Sequence, residues 1–206
     1  MLVSPGLRRW KWLKSSLEFV ETLLMMPVAL PLMAVAAIAV KLEDGGPVIH
    51  RRRVVGPRGV FDAFKLRSMR VDADRILEAD PALAAEFAQS FKLKSDPRVT
   101  RVGAYLRRIS VDELPQLFNV LAGQMSLVGP RMVTPPELEK FGDKREIFHL
   151  VKPGLTGLWQ VSGRQEVSYQ ERVAMDVYYV EHWSFGLDWW ILARTFWKVL
   201  TGEGAC

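Results

Sequence analysis

Two adjacent acids, Asp112 and Glu113, stand in the stretch RRISVDELPQLFNVLAG, between a basic segment and an apolar one. Adjacent carboxylates can supply oxygen ligands to Mg²⁺, and an ionised Asp can attack phosphorus to form an aspartyl phosphate. The pair also has a structural explanation. Asp is a favoured helix N-cap and proline is tolerated in the first turn, so Asp112 would cap a helix over residues 113–121, closed by Gly123. A capping box of Ser110 with Glu113 is the other local solution.

Cationic residues recur beside glycines and next to the acids. Glycine lets backbone N–H groups approach an oxyanion, and arginine forms bidentate hydrogen bonds to phosphate oxygens. Several such residues together with an acid pair predict a pocket for a diphosphate. The candidates are Lys65, Arg67, Arg107, Arg108, Arg131 and Arg164.

The acids then have a chemical use. A carboxylate at a helix N-terminus is favoured in its ionised form, because the helix dipole stabilises negative charge. We therefore expect Asp112 to be ionised, with Mg²⁺ bound by Asp112 and Glu113 to offset repulsion from an anionic phosphate. Other reactive sets are poorly represented, because the three histidines lack zinc-site spacing and the single cysteine, Cys206, is the last residue.

The elements that position these residues include an apolar segment. The chain has 206 residues, enough for one buried core, and a net charge of +5, which indicates an anionic partner such as nucleic acid, a phosphate-bearing substrate or a lipid surface. Residues 22–40, TLLMMPVALPLMAVAAIAV, carry no charge. A straight helix of that length would just cross a hydrocarbon core of roughly 30 Å.

Pro27 and Pro31 lie inside the apolar run and predict a sharp kink. Short basic flanks tend to stay in the cytoplasm. A helix that enters the membrane, bends at the prolines and leaves on the same side keeps both flanks there, so we predict a re-entrant, monotopic anchor. A spanning helix and a buried core helix are the alternatives. The basic flanks are Arg8, Arg9, Lys11 and Lys14 before the run, and Lys41 with Arg51, Arg52 and Arg53 after it.

The remaining chain predicts an α+β domain that is mostly helical. Turn residues at 56–59 separate two β-rich runs and predict a hairpin of residues 48–55 and 60–66. Residues 124–131 predict a short strand and a Gly-Pro-Arg loop, whereas residues 151–164 are dense in turn residues and predict a loop with short extended pieces and no helix. The tryptophan-rich segment 185–200 fits a helix in the membrane interface and a helix packed on the core equally well. Helical patterns cover residues 71–94 with an interruption at Pro81, 101–108 and 168–183.

Four long motifs resemble the bacterial sugar transferases, the monotopic phosphoglycosyl transferases. They are FKLRSM, SDPRVTRVGAYLRRISVDELPQLFNVLAGQMSLVGPR, VKPGLTGLWQVSGR and DVYYVEHWSFGLDWWIL, and the likeness runs in order from about residue 16 to residue 200. It implies an anchor at residues 1–42, with a re-entrant helix kinked at Pro27, and a catalytic domain at residues 43–206. Because no further segment precedes the anchor, we expect the small catalytic form of the family. Leu66 and Met132 depart from the residues that the family commonly has there.

The resemblance implies transfer of a sugar-1-phosphate from a UDP-sugar to a polyprenyl phosphate such as undecaprenyl phosphate, with release of UMP. Asp112 would be the nucleophile, Glu113 its partner, and Mg²⁺ the cofactor. Within this resemblance, the GLTGLWQVSGR motif favours UDP-glucose or UDP-galactose as donor, for exopolysaccharide synthesis. The residues expected to contact substrate are Lys65, Arg67, Arg107, Arg131, Gln160, Arg164 and Asp176.

This reaction predicts membrane lipid as a partner, no nucleic acid, a second copy of the chain as a candidate partner, and the cytoplasmic face of the bacterial inner membrane as the location. Two other functions remain open. A Mg²⁺-dependent phosphohydrolase could use the same Asp112 with water as acceptor. A membrane-tethered basic module without enzymatic activity would explain the charge and the seven tryptophans, but it would leave the acid pair without a role.

Overall fold

The longest element of the fold is helix α1, Pro5–Asp44. The computed structural model describes residues 3–90, 93, 95–139, 141–163 and 168–201. The helix begins where the Ser4 hydroxyl accepts a hydrogen bond from the Leu7 N–H at 3.0 Å, with proline suited to the first turn. It ends at Gly45, whose φ of 71° lies in the left-handed region that glycine adopts easily.

Helix α1 stays one continuous α-helix through Pro27 and Pro31, so the prolines do not divide it into two helices. By length and composition it is the one helix in the described part of the chain that could cross a membrane. The kink and the re-entrant course through a membrane stay predictions.

One side of α1 packs against the rest of the chain along the whole helix. Its buried residues are Leu7, Lys14, Glu18, Thr22, Met26, Ala29, Met33, Ala36 and Val40, and from Lys14 onward they recur every three or four positions, as expected for one helix face. The middle of this stripe joins the main core, and its end packs with Leu66 and Leu106 in a smaller one. The opposite side exposes large apolar residues, including Leu24, Val28 and Val35.

The predicted hairpin is confirmed as β1, Ile49–Gly56, and β2, Gly59–Leu66. Its antiparallel register places His50 opposite Lys65. Directly opposed residues share a face, and alternate residues of one strand do as well, so His50, Arg52 and Lys65 point to the same side.

The helical pattern after the hairpin is also confirmed. It forms α2, Ala73–Ala79, and α3, Pro81–Ser90, which meet at the predicted interruption. The next helix, α4, covers Arg101–Arg108 as predicted and is capped by the Thr100 hydroxyl, which accepts from the Gly103 N–H at 2.9 Å.

Both predicted caps at the acid pair are wrong. After α4, Val111–Glu113 form a 3₁₀ turn, and helix α5 covers only Gln116–Leu121, with no capping hydrogen bond from the side chain of Ser110 or Asp112. Proline has no N–H and cannot donate to the carbonyl four residues earlier, so the turn closes instead through the Leu114 N–H to the Val111 carbonyl at 3.2 Å. The closure of α5 by Gly123, with φ of 71°, is confirmed.

Strand β3, Ser126–Val128, pairs in parallel with β4, Gly154–Thr156, and α6, Pro135–Glu139, and α7, Ile147–Leu150, lie between them in sequence. The expectation of extended pieces in residues 151–164 is confirmed by β4. The exclusion of a helix there is wrong, because Leu158–Ser162 form α8. The turn residues stand at its two ends, and α8 buries Trp159 and Val161.

Helices α9, Tyr169–Glu181, and α10, Phe185–Thr201, complete the fold. A capping box of Ser168 and Glu171 starts α9, which agrees with the predicted helix. Helix α10 buries Ile191 in the main core and exposes Trp189 and Trp197 on its other side. It therefore packs on the core and also presents an aromatic outer surface.

A buried ionic network joins α1 to α10. Lys14 Nζ lies 2.8 Å from Glu18 Oε1 and 2.6 Å from Asp188 Oδ2. The Tyr179 hydroxyl and the Trp183 indole N–H also donate to Asp188, at 2.7 and 2.9 Å. Glu18 accepts hydrogen bonds from strand β3. Lys14, predicted to be part of a basic flank at the membrane, is instead buried in this network.

Candidate active site

The acid pair lies on the short connection between α4 and α5. Ser110 has a φ of 57°, uncommon for a residue other than glycine, and this conformation turns the chain into the 3₁₀ turn that carries both acids. Backbone of this kind is often found at functional sites. Asp112 is buried, with only 5% of its surface exposed, whereas the Glu113 side chain is 28% exposed.

Lys65 joins the hairpin to the acid pair. It stands near the end of β2, and its Nζ lies 2.5 Å from Glu113 Oε1. Burial raises the pKa of Asp112 above its ordinary value, the positive charges of Lys65 and Arg107 oppose the rise, and Glu113 adds to it. We predicted that a helix dipole would keep Asp112 ionised. That reason is wrong, because Asp112 is not at the N-terminus of an α-helix and nearby cations act instead.

Arg107 is brought to this turn by close packing of α4. A Cβ atom at Gly103 would lie 2.1 Å from the Ser68 carbonyl oxygen, so only glycine allows the helix to approach so closely. Arg107 Nε then donates to the Ser68 hydroxyl at 2.8 Å. The positive charge of Arg107 acts on Asp112, and its contact with substrate stays a prediction.

Arg67 has a different partner from Lys65. Its guanidinium makes two hydrogen bonds to the Asp44 carboxylate at the end of α1, and Nε donates to the Pro47 carbonyl at 2.6 Å. This ion pair holds the pKa of Asp44 low, at about 2. Arg67 therefore fixes the end of α1 to the hairpin, and its contact with substrate stays a prediction.

Arg131 lies directly beyond β3 and is held through its main chain. Its N–H donates to the Asp176 carboxylate at 3.3 and 3.4 Å, and its guanidinium lies over the Trp159 ring, 5.0 Å from the centroid. Burial raises the pKa of Asp176 to about 7, against the opposing influence of Arg131 and Arg172. Asp176 therefore positions the Arg131 loop, and its predicted contact with substrate stays a prediction.

The last two predicted substrate contacts lie beyond β4. Gln160 donates from Nε2 to the Leu155 carbonyl at 3.3 Å, while its Oε1 is buried without a hydrogen-bond partner in the described part of the chain. Its placement beside Trp159 on α8 brings it into the Arg131 region. Arg164 lies outside the described residues.

The sequence patterns did not assign His50, Arg52, Ser68 or Trp159 to the site. Alternation along β1 was the available signal for His50 and Arg52, since both share the face of Lys65. Partial burial lowers the pKa of His50, and the charges of Arg52, Lys65 and Arg107 lower it further. Arg52 Nη2 lies 2.9 Å from Glu137 Oε2. The hairpin face thus extends the cationic surface from Lys65 towards α6.

Mg²⁺ fits the chemistry of the acid pair. No group of three or more His, Cys, Asp or Glu side chains suited to a metal ion occurs among the described residues. Mg²⁺ is commonly held by one or two carboxylates, with substrate phosphates and water completing its octahedron. Asp112 and Glu113 meet this requirement, and one oxygen of Glu113 is engaged by Lys65.

Comparison with known proteins identifies the family of the chain. Residues 9–202 match the family model described as bacterial sugar transferase. The chain is 44% identical over 203 residues to the undecaprenyl-phosphate galactose phosphotransferase of Salmonella typhimurium, covering 96% of this chain and 42% of the relative. It is 43% identical over 199 residues to the UDP-galactose-lipid carrier transferase of Erwinia amylovora, covering 95% and 42%.

A third relative is closer in length. The exopolysaccharide production protein ExoY of Rhizobium meliloti is 45% identical over 192 residues, covering 90% of this chain and 83% of the relative. The chain thus spans about two fifths of the Salmonella and Erwinia proteins and most of the Rhizobium one. The family match covers nearly all of its elements, from α1 to α10. The chain belongs to the bacterial sugar transferase family.

Proposed function

We propose that the protein transfers a sugar-1-phosphate from a UDP-sugar to a polyprenyl phosphate through a covalent intermediate on Asp112. The observation that carries the proposal is the buried Asp112 in a 3₁₀ turn, acted on by the cations Lys65 and Arg107. The names of the Salmonella and Erwinia relatives support undecaprenyl phosphate as acceptor and UDP-galactose as donor. UDP-glucose is the other candidate donor.

The proposed first step takes place at the phosphorus that bears the sugar. A carboxylate oxygen of Asp112 bonds to this phosphorus while the bond to the bridging oxygen of the diphosphate breaks, and UMP leaves with that electron pair. Lys65 and Arg107 favour the ionised form of Asp112 that this attack requires. Arg131 would hold phosphate oxygens by bidentate hydrogen bonds.

In the second step, an oxygen of polyprenyl phosphate attacks the same phosphorus. The aspartyl oxygen leaves, which regenerates the Asp112 carboxylate and gives polyprenyl-diphosphate-sugar. Glu113, fixed by its ion pair with Lys65, stands beside the reacting carboxylate. When bound by Asp112 and Glu113, Mg²⁺ would offset the negative charge of the diphosphate.

The outer surfaces of α1 and α10 support a membrane setting for this reaction. Both expose large apolar or aromatic side chains, including Leu24 and Val28 on α1 and Trp189 and Trp197 on α10. Tryptophan is at home at membrane–water interfaces. We place these surfaces in the cytoplasmic leaflet of the bacterial inner membrane, where the lipid acceptor would reach Asp112.

Turnover and trapping together test the proposal. Detergent-solubilised full chain with Mg²⁺ and undecaprenyl phosphate is expected to release UMP from UDP-galactose or UDP-glucose. Without acceptor, donor labelled with ³²P at the sugar-bearing phosphorus should leave label on the protein. Asp112→Asn should abolish both signals, and Asp72→Asn, at an exposed acid paired with Arg70, should change neither.

The alternatives give different products. Sugar-1-phosphate formed with water, at a rate independent of the lipid, would identify a phosphohydrolase. No UMP from any of these donors, or equal UMP release by the Asp112→Asn variant, would refute the proposal and favour a binding module.

A further inference from the structure

Trp159 lies under two arginines. Its ring centroid is 5.0 Å from Cζ of Arg131 and 4.8 Å from Cζ of Arg172, and both guanidinium groups lie over the ring. Trp159 is nearly fully buried. A cation at this distance from an indole face is attracted by the ring quadrupole, most strongly where water is excluded.

The parallel pairing of β3 with β4 brings these residues together. Arg131, just beyond β3, bridges to Gly154 of β4, and Trp159 follows β4 on α8. A Cβ atom at Gly154 would lie 2.2 Å from the Gly129 nitrogen, so the two backbones approach more closely than any larger residue allows. The tryptophan is therefore held at a fixed place beside the Arg131 loop.

The backbone of Arg131 is fixed separately from its side chain. Asp176 accepts the Arg131 N–H, and both Arg131 and Arg172 act electrostatically on this buried carboxylate. Asp176 therefore fixes the main chain of Arg131. The main chain is held by a carboxylate and the side chain by an indole, so the guanidinium retains little of the rotational freedom of an exposed arginine.

We propose that Trp159 is a positioning residue that holds the Arg131 guanidinium ready to bind the diphosphate of the donor. This inference rests on the proposed function, in which Arg131 contacts phosphate. An arginine ordered before the ligand arrives loses less freedom on binding, so the affinity for the diphosphate is higher. Trp159 acts through Arg131 and need not touch the substrate.

The decisive test weakens the ring quadrupole without changing the packing. Fluorinated tryptophans with increasing numbers of fluorines would be incorporated at position 159 of the full chain, and UDP affinity measured by calorimetry in detergent with Mg²⁺. We expect affinity to fall stepwise, by about tenfold in total. Trp183 is the matched control: it is equally buried, at 5% exposure, but hydrogen-bonds to Asp188. Fluorination there should leave UDP affinity unchanged.

A double-mutant cycle gives a second measurement. Trp159→Leu and Arg131→Lys should each weaken UDP binding, and the double variant should be hardly weaker than Arg131→Lys alone, because Trp159 acts through the guanidinium that Arg131→Lys removes. Trp159→Phe keeps an aromatic face and should recover most of the affinity.

The inference would be overturned by unchanged UDP affinity on fluorination at position 159, by equal losses at positions 159 and 183, or by no effect of Arg131→Lys. UMP release measured on the same samples judges the proposed function separately. Normal UMP release with one of these binding results would refute only the role of Trp159. The expected binding results without UMP release would refute only the transferase activity.

Discussion

The network between α1 and α10 and the site at Asp112 both pair carboxylates with a lysine, but they differ in how many donors each carboxylate has. Asp188 accepts from Lys14, Tyr179 and Trp183. In the described part of the chain, no other side chain donates a hydrogen bond to Asp112, although it is equally buried. A buried carboxylate with a full set of donors stabilises the fold, whereas one without such donors keeps its lone pairs available for chemistry.

The largest expected effect on stability lies in the network. Asp188→Ala would leave the buried Lys14 ammonium with one partner fewer and the Trp183 indole N–H unpaired, so we expect a loss of about 3 kcal/mol in the free energy of unfolding. Thermal unfolding in detergent measures this as a fall of about 10 °C in the midpoint. Asp72→Ala, at an exposed ion pair, is the control and should leave the midpoint unchanged. Equal midpoints for the two variants would contradict the assignment of Asp188 to the fold.

At the Asp112 site we expect the opposite result, a loss of activity with little loss of stability. Lys65→Met removes the cation that holds Glu113 and favours ionised Asp112, so kcat/KM should fall about 100-fold with little change in the unfolding midpoint. UMP release under substrate-limiting conditions measures it, and Lys144→Met, at an exposed lysine, serves as control. Lys65→Arg, which keeps the charge, should recover part of the activity. A Lys65→Met variant with normal kcat/KM would mean that the ion pair has only a structural role.

Asp176 stands between the two cases, because it is buried and accepts hydrogen bonds from a backbone N–H, that of Arg131. Its pKa is raised from 3.8 to about 7 in the folded state. Between these values the folded chain binds a proton that the unfolded chain lacks, so stability falls as pH rises, by about 1 kcal/mol from pH 6 to pH 8.

Asp176→Asn keeps an oxygen acceptor and removes the titrating group. The unfolding midpoint of this variant should therefore fall less between pH 6 and pH 8 than that of the unsubstituted protein. An identical midpoint difference between pH 6 and pH 8 in both proteins would show that Asp176 titrates outside this range.

The smallest expected effect concerns the contact that orients Arg107. Ser68→Ala removes the hydroxyl that accepts from Arg107 Nε, and the loss of one such hydrogen bond should lower kcat/KM about fivefold. Ser95→Ala, at an exposed serine, is the matched control. A larger loss than that of Lys65→Met would reverse the order of importance of the two cations.

Local sequence patterns predicted the elements whose causes are local. The turn residues between two β-rich runs gave the hairpin, and helix periodicity gave α4 and α9. The partners of Lys65 and Arg67 could not be predicted in the same way. The two residues stand two positions apart, yet one binds Glu113 and the other Asp44, because the end of α1 lies beside the second. The pairing of Lys14 with Asp188 joins residues 174 positions apart.

The site itself was predicted in part. The acid pair, Arg107 and Arg131 could be found from residue type and motif, but the conformation of the turn could not. Ser110 has a positive φ although it is not a glycine, so its residue type does not indicate this conformation. Helix α5 begins later than predicted because Pro115 has no N–H to donate. Trp159 lies in a segment dense in turn residues, and this composition did not indicate the five-residue helix α8.

The buried stripe of α1 bears on whether this helix can be exchanged for another apolar helix. Many membrane proteins tolerate replacement of an anchor by any apolar helix of similar length, because lipid makes few demands on side-chain identity. In α1, residues every three or four positions fill the protein core, and two of them, Lys14 and Glu18, are charged. A chimaera with a generic apolar helix would satisfy the bilayer and leave the domain without part of its interior. Helix α1 and the rest of the chain therefore form one unit that can be exchanged only as a whole.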